Sequence, residues 1–201
     1  MLTPNDARSD GDKISYLRSP GEWRQFDPEL FAQLRPMVSG RKVRSVRAVE
    51  AAGILSNTVF YSKTVPDDAI GRSAFFDAFK ESCRDCSLVF LDPDNGFEVK
   101  SVPYGRKNSS KYVYWNELDS LYKCGKSLLV YQHFPRVKRQ SFARSLVSLM
   151  KRRLQPSRTF SFATSNVLFV LAAQQCHLSY IQVAVNEVRL QWGEKLLITE
   201  K

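Results

Sequence analysis

Along the chain, amphipathic stretches alternate with short, wholly apolar ones. Asp27-Pro28-Glu29 is a helix start, with an acceptor at the N-cap and proline where no N–H is needed. Leu30, Phe31 and Leu34 then share a face, and Pro36 predicts the stop. A helical turn is expected around Ile14 to Leu17. A second helix is expected over Arg44 to Leu55, with Val46, Val49 and Ile54 apolar, and a short strand over Thr58 to Tyr61. Arg72 to Cys83 carries Phe75, Phe76 and Phe79 at helical spacing. Ser87 to Asp92 and Ser127 to Gln132 are continuous apolar runs, the pattern of strands buried on both faces. Helices are expected at Tyr114 to Tyr122, Val137 to Leu154 and Leu178 to Trp192. Thr159 to Ala163 and Val167 to Ala173 flank Thr164-Ser165-Asn166 as a hairpin, and Leu196 to Thr199 is a last strand. Strands alternating with helices predict a single α/β domain over 1–201. Its sheet is expected to be mostly parallel and flanked by helices, with a C-terminal antiparallel hairpin.

Composition supports a folded, water-soluble chain. Of 201 residues, 43% are hydrophobic, and 13 Phe, 8 Tyr and 3 Trp give ample bulk for a core. The longest apolar run, Val167 to Ala173, is far short of the roughly 18 residues of a membrane span. No basic region followed by an apolar one opens the chain, and four cysteines make no disulfide framework. A cytoplasmic protein without membrane contact is expected.

Charge narrows the class of partner. The net charge is +10, and from Ser120 to Asn186 there are ten Lys and Arg and no acid. A one-signed field attracts polyanions, whereas a face serving solubility alone usually mixes signs. Nucleic acid is therefore the expected partner. The candidate contacts are Arg136, Lys138, Arg139, Arg144, Lys151, Arg152 and Arg153, on a helix that would bury Phe142, Leu146 and Leu149.

Candidate chemistry concentrates in Leu91-Asp92-Pro93-Asp94-Asn95-Gly96-Phe97-Glu98-Val99-Lys100. Ligands of open parallel sheets bind outside the carboxyl ends of strands, where Asp92 would sit. Pro93 restrains its neighbour and Asn95-Gly96 permits positive φ, so the acids would be held on a stiff turn; a plain turn with Asp92 as a cap is the alternative. His133, at the end of the second buried strand, would reach the same sheet edge as an acid or base. Asp92, Asp94, Asn95 and His133 are the candidate catalytic residues.

An apolar strand ending Asp92-Pro93, then a loop and helix, then a strand ending Tyr131-Gln132-His133, resembles class I S-adenosylmethionine-dependent methyltransferases. The order of elements agrees from about residue 40 to 175. The resemblance implies a Rossmann-type fold and a methyltransferase acting on nucleic acid. Asp92 would accept a hydrogen bond from the target amine, with Asp94 and Asn95 shaping the pocket. Those two stand where amino-methylating members carry a second proline and an aromatic, so base stacking would fall to Phe97. No Gly-x-Gly pattern occurs. Residues 1–12 would be the remnant of the cofactor loop, with Asp6 or Asp10 near S-adenosylmethionine. The run Met1-Leu-Thr-Pro-Asn-Asp, with Ser9-Asp10-Gly11 and Phe90-Leu-Asp-Pro-Asp-Asn-Gly, is also similar to a family of uncharacterised bacterial proteins.

Other classes fit some of the same residues. Asp92, Asp94, Glu98 and Lys100 could serve a Mg²⁺-dependent nuclease, the acids holding the cation and the lysine positioning water. A non-catalytic nucleic-acid-binding module is the third possibility. Cys83-x-x-Cys86, Cys124 and Cys176-His177 suit buried thiols better than a zinc site, so no metal site is assigned to them. Tyr104, Tyr112, Tyr114 and Trp115, interleaved with Arg106, Lys107 and Lys111, suit either base stacking or a lid packed on its own sheet.

Overall fold

A computed structural model describes residue 3 and residues 14–39 and 46–201. The chain forms two compact units, one of residues 5–62 and one of residues 63–201 with residues 1–4. Asp6 and Asp10, the expected cofactor residues, lie outside the described residues.

The smaller unit is helical. A 3₁₀ turn at Ser15–Arg18 and α1 (Pro20–Trp23) precede α2 (Pro28–Ser39) and α3 (Val46–Ala51). Asp27 caps α2 as expected, its carboxylate accepting the Leu30 N–H at 2.9 Å. Pro36 does not end that helix. Proline forfeits one backbone bond, and α2 continues through it. Residues 58–61 form no strand. Among the described residues no strand pairs with them, and propensity alone does not make a ladder.

The larger unit opens with α4 (Ala69–Ser82), capped by the Asp68 carboxylate on the Gly71 N–H. Then come β1 (Leu88–Leu91), β2 (Gly96–Phe97), β3 (Tyr112–Val113), α5 (Trp115–Lys123), β4 (Ser127–His133) and α6 (Arg139–Leu154). The chain ends with β5 (Arg158–Ala163), β6 (Val167–Ala173), α7 (Leu178–Trp192) and β7 (Leu197–Glu200). Five strands form one sheet in the order β1-β4-β6-β5-β7, and β2 and β3 form a small parallel pair. β1 and β4 run parallel, with Leu91 level with Val130.

The larger unit is therefore α/β, with a mixed sheet flanked by helices, and the β5–β6 hairpin is present. The expectation of a mostly parallel sheet is corrected. β6 enters between β4 and β5 antiparallel to both, and β7 adds a third antiparallel pairing. A three-residue turn can only reverse the chain, whereas the α5 crossover between β1 and β4 permits parallel pairing.

Register sorts the strands' side chains into two faces. Val89, Leu91, Leu128, Val130, Leu168, Val170 and Ala172 are buried on the face toward α5 and α6. On the other face Phe160, Leu171 and Ala173 pack against Ile181 and Val185 of α7. Leu88 and Phe90 on β1 remain 43% and 51% exposed. The buried stripe of α6 is Leu146, Val147, Met150 and Leu154, rotated from the expected one, with Phe142 and Leu149 half-buried.

Tyr104 and Tyr114 pack around a buried arginine. Arg72 is fully buried on α4, and its guanidinium grips both oxygens of buried Glu117. It also donates to the carbonyls of Ser109 at 2.8 Å and Tyr112 at 2.6 Å. The Tyr114, Phe76 and Tyr104 rings surround it at 4.9, 5.6 and 5.7 Å. Burial, with the charge of Glu117 adding to it, pushes the Tyr114 phenol up to about 12. Asp67 fastens the same loop by accepting the N–H groups of Asn108 and Ser110. One buried cation therefore collects the loop's orphan carbonyls, which burial without a partner would make costly.

Candidate functional site

The parallel β1–β4 pair brings two of the expected site segments to the carboxyl end of the sheet. Carried one residue past Leu91, the register sets Asp92 level with Tyr131, and His133 lies two residues further along β4. Asp92 reaches solvent and accepts no hydrogen bond from a described residue. Partial burial of its carboxyl raises its pKa, the positive charge of the chain's amino group acts against that rise, and the charge of Asp94 adds to it. Tyr131 registers the same neighbourhood: burial, then the charges of Asp92 and Asp94, push its phenol up. Asp94 is engaged, with the Thr3 hydroxyl 3.0 Å from each carboxylate oxygen.

The turn after Asp92 is held by a residue that sequence reasoning passed over. Gln132, buried near the end of β4, donates from Nε2 to the Asn95 carbonyl at 3.1 Å and to the His133 carbonyl at 2.6 Å. Its Oε1 accepts the Phe97 N–H at 2.9 Å. Gly96 has φ +102°, and a Cβ there would lie 2.4 Å from the Gln132 carboxamide. Glycine is therefore needed at this position for both its conformation and its lack of bulk. A polar amide near the end of a largely apolar strand was the available signal. Asn95 acts through its backbone, its carbonyl held by Gln132 and its N–H donating to the Lys111 carbonyl at 3.0 Å.

Glu98 and Lys100 diverge from the two aspartates. Glu98 accepts the Trp115 N–H at 3.0 Å, so it caps α5. Glu98 and Lys100 line a separate cleft with Tyr104, Tyr114, Trp115 and Arg153. Among the described residues, no three His, Cys, Asp or Glu side chains gather as metal ligands. Cys83 is buried and Cys124 and Cys176 are exposed, all as free thiols; burial and nearby Cys86 push the Cys83 thiol up. The S-adenosylmethionine site expected at residues 1–12 lies, apart from Thr3, outside the described residues.

A second cleft, of about 540 Å³, opens beside His133. It is lined by His133 and Phe134, by Pro135 to Arg139, and by Asn166 of the β5–β6 turn. Pro135 cannot extend the ladder of β4, so the chain turns there. Phe134 is buried edge-on against Phe142 at 6.1 Å, and its N–H donates to the Asn166 carbonyl at 3.3 Å. These contacts join the two walls. Arg136, Lys138 and Arg139 are exposed, and no described acid pairs with them. Lys138 is the N-cap of α6 and makes no capping hydrogen bond.

The basic residues of α6 thus fall into groups of different meaning. Lys151, Arg152 and Arg153 occupy the last turn, where cations complement the helix dipole. Arg153 also lies over the Trp115 ring at 5.9 Å. Lys138 and Arg139 stand at the first turn, where cations are disfavoured. Arg144 is exposed between them. Comparison with models of known protein families, with curated proteins and with solved structures found no match for this chain.

Proposed function

We propose that this chain acts on nucleic acid through a methyltransferase-like fold, with phosphates held along α6 and a base amine presented to Asp92. The observation that carries the reading is a juxtaposition. Asp92, exposed just past the end of β1, and an acid-free cleft lined by Arg136, Lys138 and Arg139 share the carboxyl end of one sheet. The strand order also supports it: an antiparallel β6 between β4 and β5 agrees with the terminal hairpin of the resemblance. Asp92 would accept a hydrogen bond from an exocyclic amine. Methyl transfer requires S-adenosylmethionine. The loop expected to hold it, residues 1–12, lies almost wholly outside the described residues, and the described residues would bind and orient the substrate.

Binding of labelled single-stranded DNA and RNA, followed by anisotropy across a salt series, tests the reading. Affinity should fall linearly in log–log form, with a slope of about 0.7 for each phosphate neutralised. No binding at low salt overturns it. Protection against thermal unfolding by S-adenosylmethionine would add the methyl-transfer activity. Protection by Mg²⁺ or Mn²⁺ instead would favour the nuclease reading. Binding with neither response would leave a non-catalytic binding module.

A further inference from the structure

We infer that the cleft beside His133 is a discrete phosphate subsite, in which Arg136, Arg139 and the His133 ring surround one phosphate group and Asn166 forms the opposite wall. The inference rests on the nucleic-acid reading and deepens it, because it names where along the basic surface a single phosphate is held.

Three observations carry it. The lining of the cleft contains two arginines, a lysine, a histidine and an asparagine, and no acid. Its two walls are joined through the buried Phe134 ring and the Phe134-to-Asn166 backbone bond. Its cations have no described counter-charge, and Lys138 and Arg139 stand at the end of α6 where positive charge destabilises the helix. Cations crowded together against a local stability preference are accounted for by an anion that joins them. Two arginines can each present a planar fork to phosphate oxygens. Lys151 to Arg153, at the opposite end of α6, lack such a cleft and serve the helix itself.

The chain carries its own internal control, because it has two histidines. His133 lines the cleft at one end of β4. His177 bonds the Ser127 hydroxyl at 3.0 Å at the other end, roughly 20 Å away by strand rise. The test follows the two imidazole carbon-bound proton signals by NMR while inorganic phosphate replaces chloride at constant ionic strength and pH. The subsite requires a saturable shift of the His133 signal with His177 unmoved. Arg136→Ala with Arg139→Ala should weaken that response about tenfold or more. Shifts of equal size at both rings, or none at His133, overturn the subsite.

The same titration with a twelve-nucleotide thymidine strand, with and without a 5′ phosphate, separates the sources. A His133 shift at lower concentration for the phosphorylated strand assigns a terminal monoester, and equal shifts assign a backbone diester. Strands that bind while His133 stays still overturn the subsite and leave the nucleic-acid reading standing. Inorganic phosphate that moves His133 when no strand binds supports the subsite and overturns that reading instead.

Discussion

Replacing Lys138 by aspartate should make the protein more stable and less able to bind nucleic acid. Lys138 occupies the N-cap position of α6 with non-helical backbone, φ −59° and ψ 107°, but its side chain cannot accept a hydrogen bond. An aspartate there would accept from an N–H of the first turn, a change of typically about 1 kcal/mol. Exchanging a cation for an anion at the positive end of the helix, beside Arg136 and Arg139, adds about 0.3–1 kcal/mol. The side chain is exposed, so no packing is lost. A gain of about 1–2 kcal/mol corresponds to a rise in Tm of roughly 2–8 °C for a chain of this size. Urea unfolding at low salt and at high salt separates the two parts, because the dipole contribution is screened and the cap bond is not. Absence of any gain would show that the first turn of α6 is already satisfied. A gain without loss of nucleic-acid affinity would show that the cleft does not meet phosphate.

Three further outcomes test the packing and the electrostatics. Thr159 buries a hydroxyl that has no hydrogen-bond partner among the described residues, so Thr159→Val should stabilise by about 1 kcal/mol, measured by chemical denaturation. Glu117→Gln leaves the Arg72 guanidinium buried without its counter-charge and should cost about 3–5 kcal/mol; a loss below about 1 kcal/mol would show that the pair is not what closes the loop of residues 104–114. The raised pKa of Asp92 means that the folded state holds its proton more readily than the unfolded one. Its contribution to stability is then most favourable at low pH and is lost as pH rises through the folded value, so Asp92→Asn should slightly raise stability at neutral pH and remove that falling limb. A marked loss on Asp92→Asn would assign the carboxylate to a structural role.

The larger unit was legible wherever its signal is local. The apolar runs at residues 87–92 and 127–132, the hairpin turn at residues 164–166 and the periodicity of α4, α5 and α7 each state their own element, and the structure has those elements there. Their arrangement was less legible. Nothing within Val167–Ala173 says that it inserts between β4 and β5 rather than at an edge, because pairing order is a property of the assembled sheet. The strand expected at residues 58–61 failed for the same reason, since residues that favour a pleated surface still need a partner. Arg72 was readable but unread. It stands three and four residues before Phe75 and Phe76, on the buried face of α4, where a charge implies an internal counter-ion. Gln132 is the equivalent in β4, and its partners were hidden because they lie 35 to 37 residues away.

Three local features at the carboxyl end of the sheet are not what stability alone would select. Asp92 keeps a carboxylate whose pKa burial raises, α6 begins with cations, and Gly96 accepts a positive φ to lie against Gln132. Elsewhere the same chain follows the stability rules closely: Asp27 and Asp68 cap their helices, Glu98 and Glu117 serve the start of α5, and Lys151 to Arg153 complement the end of α6. α7 also starts without a side-chain cap, at His177, so what sets the start of α6 apart is its cations rather than its missing cap. Departures gathered at one sheet edge are what a binding site produces, because groups reserved for a ligand cannot also be spent on the fold. Their chemistry is complementary as well: one anion suited to an amine, and beside it a group of cations suited to phosphate, the two kinds of group that a nucleotide presents together.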